Sequence, residues 1–233
     1  MKKILIFSLA AVLTSTISGQ TNEFSEQFSS GLFSFAGSSA TKTSTLYLGG
    51  PSTMNPYGRG SSFSYVFGLQ VQRITRSNFI FGLQTSYESL SSKVKVVYAE
   101  YNSHSAGFNV SDGKTILKNH FLNFHPFLGK RIKLINWITS DLTLGTDLGI
   151  CLNSREHETG IMDNGGKYDF FYIWPGNPSL DIRPRIEFTN YYKKFGLTFG
   201  YSLGLTNYEN IGGSSAGMKV FSRMLRFGFA YRF

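Results

Sequence analysis

The chain contains little charge, one cysteine and no long hydrophobic run beyond its first residues. Only 16% of its 233 residues are Asp, Glu, Lys or Arg, whereas globular chains average roughly 25%. Because Cys151 is the only cysteine, an intramolecular disulfide is impossible. After residue 19, no apolar run approaches the about 20 residues that a transmembrane helix needs. Neither a helical membrane protein nor a disulfide-stabilised secreted domain fits these absences.

Aromatic residues and glycine are abundant instead, with 22 Phe, 13 Tyr and 25 Gly. They alternate along the chain: bulky apolar residues occupy every second position, and Gly, Ser, Thr or Gln stand between them. The clearest examples are 63–71, 142–152, 197–205 and 225–233. Strands with one apolar, aromatic face and one small, polar face are typical of transmembrane β-barrels. Closure is required because lipid cannot satisfy the backbone groups of an open sheet edge.

The first residues have the layout of a secretory signal peptide. A basic start, Met1–Lys3, precedes the apolar segment Ile4–Val12 and the small or polar residues Thr14–Gly19. We therefore predict a signal peptide at 1–19 and one barrel domain at 20–233. A single membrane anchor is the alternative, but the apolar segment is too short to span a bilayer. The formal charge of +9 favours anionic lipid over nucleic acid as counterpart, since an exported chain rarely meets nucleic acid.

The alternation predicts an all-β fold, an eight-stranded antiparallel transmembrane β-barrel with short periplasmic turns and long extracellular loops. The segment 94–101 looks strand-like and is expected to extend strand three. The predicted strands are about 29–38, two strands in the hairpin 61–89, 116–130, 137–152, 180–190, 195–206 and 218–233, with long loops at 39–60, 90–115, 154–179 and 208–217. A soluble lipocalin-like barrel is the alternative, but its solvated face would carry more Lys and Glu.

Three stretches resemble the small outer-membrane β-barrel family labelled porin-family or PorT-like. They are HFLNFHPFLGKR at 120–131, LGTDLGI at 144–150 and FGLTFGYSLGLTN at 195–207. The resemblance covers about residues 25–233 and includes the terminal Phe233. It implies an eight-stranded barrel of the outer membrane and a link to type IX secretion or envelope assembly. Tyr231 and Phe233 also resemble the C-terminal signal read by the barrel assembly machinery, a partner this resemblance implies.

The parity of the strands places charged residues together inside the barrel, with Asp147 expected roughly opposite Arg185. Buried charges must pair or be hydrated, and eight strands leave an interior just wide enough for side chains. A filling network of salt bridges is therefore predicted, and a polar track for an ion, proton or ligand is the alternative. The predicted lumen charge network is Asp147, Asp181, Arg183, Arg185, Glu187, Arg226 and Arg232.

Aromatic residues are concentrated in the predicted loop 154–179. Exposed aromatics on a loop often mark an interaction site, although they could also rest on the membrane interface or on one another. The predicted recognition patch is Tyr168, Phe170, Phe171, Tyr172 and Trp174.

No motif for catalysis or cofactor binding stands out. The four histidines are His104, His120, His125 and His157, and none has metal-ligand spacing. We expect no catalytic, cofactor-binding or metal-binding residues, and a non-enzymatic role in structure, anchoring or partner binding. The expected partners are outer-membrane lipids, the assembly machinery and other envelope or secretion proteins. An outer-membrane lipid-modifying enzyme with a rim His/Ser site, and a narrow porin for small solutes, remain alternatives.

Overall fold

The structure is a computed structural model that describes residues 20–49, 52–101, 107–135, 137–175, 178–208 and 219–233. The predicted signal peptide at 1–19 lies outside the described residues. Eleven strands account for most of the described chain. They are β1 (Thr21–Ala36), β2 (Thr43–Tyr47), β3 (Ser52–Thr53), β4 (Gly60–Ile74), β5 (Phe79–Glu100), β6 (Phe108–Ile135), β7 (Ile138–Ile161), β8 (Lys167–Pro175), β9 (Leu180–Tyr192), β10 (Phe195–Leu203) and β11 (Phe221–Arg232).

Eight of these strands form a closed antiparallel ring. Along the ring, β1 pairs with β4, then follow β5, β6, β7, β9, β10 and β11. The ring closes between the first and last strands, where twelve residue pairs run from Ser25↔Arg232 to Ala36↔Phe221. Closure leaves no unpaired edge in this part of the sheet, as lipid requires. The predicted eight-stranded antiparallel barrel is confirmed.

The two faces of the ring differ in polarity in the way a membrane barrel demands. Side chains such as Phe67, Leu144, Phe199 and Phe229 are exposed on the outside. Their neighbours in sequence point inward and are mostly Gly, Ser, Thr, Gln or charged. A soluble barrel would place the apolar face inside, and so wide an exposed apolar surface is stable only against lipid. The ring therefore spans a membrane. The described residues include no helix with the length and hydropathy needed to cross a bilayer.

Short connections join the ring strands at one end, which we call the turn end. Thr75–Asn78 links β4 to β5, with the Asn78 N–H donating to the Thr75 carbonyl oxygen at 3.0 Å. Asn78 in this turn and Lys193 in the β9–β10 turn adopt positive φ values of 63° and 54°, which tight hairpins commonly require. The Phe233 N–H donates to the Phe24 carbonyl oxygen at 3.0 Å, so the start of the first strand and the end of the last strand are joined at the turn end. The opposite end is the loop end.

Three strands continue well past the apolar band at the loop end. On β7 the lipid-facing residues end at Leu152, but the strand runs on to Ile161. The polarity then inverts: on β5, Lys93 and Lys95 point outward, while Val94 and Val96 are buried. This inversion is expected where water replaces lipid around the barrel, because apolar residues then face inward. We call these extensions of β5, β6 and β7, together with β2, β3 and β8, the projection.

The projection corrects several predicted boundaries. The predicted loop 90–115 is largely strand, since β5 reaches Glu100 and β6 begins at Phe108; the extension over 94–101 is confirmed through residue 100. The predicted loop 154–179 is the end of β7 plus β8. The first strand begins at Thr21, not 29, and the predicted loop 39–60 contains β2 and β3. Apart from the start of β1, where Phe24 and Phe28 face outward, these segments lack the apolar-out alternation that lipid imposes. A pattern based on membrane strands therefore could not detect them.

The projection has an apolar core of its own. Leu46 of β2, Val96 and Ala99 of β5, Val110 of β6 and Tyr168 of β8 are buried together. They meet because β2 pairs in parallel with β5 and β8 pairs with the end of β7. This core holds the projection together outside the membrane.

Candidate functional site

A cluster of buried charges fills the middle of the barrel, and we call it the central cluster. Its arginines lie at the centre of β9 and β11, and all are almost fully buried. Arg226 Nη2 lies 3.0 Å from both Glu88 Oε1 and Asp147 Oδ2, and Arg183 also pairs with Glu88. The members are Glu88, His125, Asp147, Asp181, Arg183, Arg185, Glu187 and Arg226.

Asp147 joins most of this cluster. One of its oxygens lies 3.3 Å from Arg185 Nη1 and 3.1 Å from His125 Nδ1. Asp147 stands directly opposite Arg183 in the sheet, and Arg185 stands opposite Gly145. The predicted register, with Asp147 opposite Arg185, is therefore two residues off. The segment between β7 and β9 contains β8, and the alternation of the sequence does not determine how many residues it takes up. The contact with Arg185 forms diagonally.

Asp181 anchors the loop-end side of the cluster. It accepts hydrogen bonds from the Tyr208 hydroxyl at 2.6 Å and the Ser222 hydroxyl at 3.0 Å. Arg183 Nε lies 3.6 Å from its Oδ2. Glu187 completes the opposite side, with its Oε2 3.6 Å from Arg185 Nε. Six of the seven charges predicted for the lumen thus lie in one connected set.

Arg232 is the exception and belongs to a second set nearer the turn end, which we call the lower cluster. Arg131 Nη1 lies 2.6 Å from Glu23 Oε1, and its Nη2 lies 2.6 Å from Asp141 Oδ2. Arg232 Nη1 lies 3.1 Å from the same Glu23 oxygen. Arg232 points inward as predicted, but it is six residues beyond Arg226 on the same strand, and strand rise separates them by about 20 Å.

Apolar side chains close the lumen on the loop-end side of the central cluster. Phe33, Phe35, Leu90, Phe121 and Met224 are fully buried there. The ring of Phe35 packs edge-on against Phe33 and Tyr208, with centroids 5.1 and 4.9 Å apart. Two ionic layers and one apolar layer therefore stack along the lumen. The arrangement is a filled interior of the kind expected for eight strands.

Several members of these layers were not foreseen from the sequence. Glu88 continues the inward series Gln84 and Ser86 on β5, so its parity alone could have identified it. Arg131 lies just past the predicted strand 116–130, although it continues the inward series of β6. Glu23 precedes the predicted start of β1. Arg131 and Glu23 were missed because the predicted strands were too short, whereas Glu88 lies within the predicted hairpin 61–89.

A pair of buried glutamates lies at the mouth of the lumen, where the strap formed by β2 and β3 crosses it. The Thr53 N–H donates to Glu156 Oε1 at 3.3 Å, and the Thr53 hydroxyl donates to Glu158. The Thr115 hydroxyl bonds to the same threonine. Burial, followed by the charge of Glu158, raises the pKa of Glu156 to about 8. The strap is thus held by hydrogen bonds to two neighbouring carboxyl groups, of which Glu156 has a raised pKa.

The predicted recognition patch lies on β8 rather than in a loop, and strand alternation divides it. Tyr168 is buried in the core of the projection and stacks on Phe170, with ring centroids 5.9 Å apart. Phe171 points outward and is 56% exposed, beside Ile173 at 61%. Tyr172 is partly buried, and the side chain of Trp174 lies outside the described residues. Since β8 pairs only with β7 among the described strands, its other edge is open next to these two exposed side chains.

The C-terminal residues lie on the outside of the barrel at the turn end. The Phe233 ring contacts Phe24 and Tyr231, with centroids 5.5 and 5.4 Å apart. Tyr231 also contacts Phe195 at 5.3 Å. The predicted assembly signal, Tyr231 and Phe233, is therefore part of an aromatic group at the seam between β1 and β11. Its role in assembly stays a prediction.

The histidines occupy three separate environments. His125 is in the central cluster, His120 bonds the Tyr87 hydroxyl at 2.6 Å, and His157 bonds Asp169 at 2.9 Å on the outer face. His104 lies outside the described residues. Across the described chain, no serine hydroxyl is hydrogen-bonded to a histidine, and no group of three or more His, Cys, Asp or Glu side chains could hold a metal ion.

Comparisons with known proteins match solved structures at low similarity. The chain is similar to Neisserial surface protein A, at 13% identity and a TM-score of 0.39, covering 93% of this chain and 100% of that one. It is also similar to Ail, the attachment invasion locus protein of Yersinia pestis, at 9% identity and a TM-score of 0.37 over the same shares. Both are small outer-membrane β-barrels. No protein-family model and no curated protein matches the chain. The fold assignment accordingly rests on the strand pairing of the chain itself.

Proposed function

We propose that the protein is a non-enzymatic, non-conducting barrel of the outer membrane that holds the projection on the cell surface for a partner protein of the envelope. One observation carries this proposal: the lumen is filled, while three strands carry a stable, folded sheet beyond the membrane. A barrel built for transport needs an open or movable interior. A barrel built for anchoring needs a rigid base and an outward surface.

The outer membrane is the membrane that suits this fold. Short turns at one end and long connections at the other are the arrangement of bacterial outer-membrane barrels, whose turns are periplasmic. The projection would then be extracellular. The resemblance to PorT-like proteins supports a role in secretion or envelope assembly.

The outer edge of β8 is the surface best suited to the partner. Its open edge can accept a further strand, and Phe171 and Ile173 beside it supply exposed apolar area. Added strands and exposed aromatic anchors are recurring modes of protein recognition. The narrow porin is not favoured, because both ionic layers and the apolar layer would have to open.

The experiment compares complex size in mild detergent extracts of outer membranes. The wild-type chain is expected to migrate in a complex larger than the barrel alone, and the double variant Phe171→Asp/Ile173→Asp as the barrel alone. Val97→Asp, an exposed apolar position on β5 of the same projection, is the matched control and should keep the complex. A wild-type chain that migrates alone under every extraction, or that turns over lipid in a purified assay, contradicts the proposal.

A further inference from the structure

Positive charge collects on the outer face of the projection, along β5 and β6. Five basic side chains and a single carboxylate line a surface groove of about 450 Å³. The basic residues are Lys42, Arg59, Lys93, Lys95 and Lys114, and the carboxylate is Asp112. We call these basic residues, together with Lys118 and Arg155 on the adjoining surface, the cationic patch.

The sheet register places like charges directly against each other. Lys95 stands opposite Lys114 in the β5–β6 pair, and Lys118 stands opposite Arg155 in the β6–β7 pair. Like charges at directly opposed positions destabilise a sheet. No carboxylate of the described chain forms an ion pair with any member of the patch. These two pairs, four residues apart along β6, leave a concentration of positive charge that a bound anion would compensate.

The level of the patch in the membrane indicates which anion. On the outer surface, the apolar residues Tyr87, Leu122 and Leu152 mark the end of the lipid-facing band. Arg155 is the next exposed residue of β7, and the half-buried Lys118 stands opposite it on β6. Lys118 lies about 13 Å along its strand from Leu122, and Lys114 lies about 13 Å further. Because the strands of such barrels tilt by about 35–45°, Lys118 and Arg155 lie about 10 Å beyond the apolar band, near the lipid phosphates, and Lys114 lies about 20 Å beyond it, where a sugar headgroup can reach. A phosphorylated glycolipid is an anion that the membrane itself holds at this height.

We infer that the cationic patch binds the phosphate groups of a phosphorylated glycolipid in the leaflet at the loop end. Lysine ammonium groups supply point charges to phosphate, and the guanidinium groups of Arg59 and Arg155 can bind two oxygens of one phosphate. The groove between Lys93, Lys95 and Lys114 receives the headgroup while its acyl chains lie along the apolar face below. The inference rests on the outer-membrane placement proposed above, but not on the partner at β8.

The test measures lipid affinity of the purified full-length chain in nanodiscs of zwitterionic lipid doped with bisphosphorylated lipid A or with its phosphate-free analogue. The triple variant Lys114→Gln/Lys118→Gln/Arg155→Gln should bind bisphosphorylated lipid A about 100-fold more weakly than wild type, since each basic residue near a charged lipid surface contributes about fivefold. The charge-retaining variant Lys114→Arg/Lys118→Arg should bind as wild type does. The matched control Lys130→Gln/Lys133→Gln/Lys194→Gln removes three charges at the turn end and should have no effect.

Each remaining outcome overturns the inference. Equal binding by wild type and the triple Gln variant removes the patch from lipid recognition. Equal binding of phosphorylated and phosphate-free lipid removes the phosphate. Tight binding of a soluble sulfated oligosaccharide in lipid-free detergent, without preference for lipid A, assigns the patch to a soluble polyanion instead. If the wild type does not bind lipid A although the β8 complex is intact, the inference fails and the proposed function still stands. The two claims can therefore be separated.

Discussion

Glu88 of β5 and Arg226 of β11 meet across the lumen, with 3.0 Å between Glu88 Oε1 and Arg226 Nη2. Two other strands, β4 and β1, separate these strands along the ring. The contact therefore joins opposite parts of the barrel through its interior. It is one of the contacts that make up the ionic core of the lumen.

Removing Glu88 should destabilise the barrel strongly. In Glu88→Gln, Arg183 and Arg226 each lose a buried carboxylate partner, and breaking a buried ion pair costs about 3–5 kcal/mol. The free energy of unfolding, measured by urea titration in detergent micelles, should fall by that amount. Thr85→Ala, on the lipid side of the same strand, is the control and should change it by about 0.5 kcal/mol or less. Equal small losses for both variants would mean that the central cluster is hydrated and dispensable.

A charged residue on the lipid-facing surface should destabilise the barrel more, the deeper it lies in the membrane. Phe199→Arg places a guanidinium near the middle of the apolar band and should destabilise the inserted barrel by about 2–4 kcal/mol. Leu205→Arg, an exposed apolar position near the loop end, should cost about 0–1 kcal/mol. Refolding equilibria in phospholipid vesicles give both values. Similar costs at the two positions would contradict the assigned membrane band.

The strap over the lumen should loosen as pH rises. The pKa of Glu156 is raised from its ordinary value of 4.5 to about 8. The folded state therefore binds the proton of this carboxyl group more tightly than the unfolded chain does. Its contribution to stability is complete below about pH 4.5, declines as pH increases and is absent above about pH 8. Ionisation strengthens the hydrogen bond from the Thr53 N–H, but the buried charge and its repulsion from Glu158 cost more. Amide protection factors at Thr53 should therefore fall across this interval.

The variant Glu156→Gln should remove most of that pH dependence, since the amide mimics the neutral carboxyl group. Glu26→Gln, near the turn end, should leave it unchanged. If protection at Thr53 in the wild type is flat from pH 4.5 to 9, the glutamate pair does not hold the strap.

Phe233 should matter more for assembly than for stability. Its side chain is 60% exposed and contacts only the outer aromatic group at the barrel seam. Phe233→Ala should therefore leave the unfolding free energy of the refolded protein within about 1 kcal/mol of wild type. The amount of folded barrel in outer membranes should nevertheless fall several-fold. Phe195→Ala, another exposed ring of the same group, is the control for both measurements; an equal fall in cells would deny Phe233 a special role.

The membrane part of the fold could be predicted because lipid imposes one rule on every strand. The predicted strands at 180–190 and 195–206 differ by only two or three residues at one end from β9 (Leu180–Tyr192) and β10 (Phe195–Leu203). Inward charges such as Arg183, Arg185 and Arg226 followed from the same alternation. Because lipid contact requires every second residue to be apolar, the sequence shows which residues face outward. The residues between them are the ones that share the lumen.

The projection could not be predicted in the same way. Beyond Leu152 the outer surface faces water, so outward polar residues such as Arg155 and His157 no longer distinguish a strand from a loop. The pairing of β2 with β5 joins residues about fifty positions apart and leaves no local signal. Register, too, depends on such distant pairings, which is why Asp147 was placed opposite Arg185 instead of Arg183.

Ion flux through the inserted wild-type protein tests the central claim most directly. Vesicles carrying a known number of barrels, with insertion verified by recovery of the folded, detergent-resistant band from the same preparation, are loaded with a salt gradient and a voltage is applied. Because two ionic layers and one apolar layer fill the lumen, we expect a leak no greater than that of empty vesicles. Reproducible conductance steps that scale with the number of inserted barrels would contradict the filled lumen and favour the narrow porin.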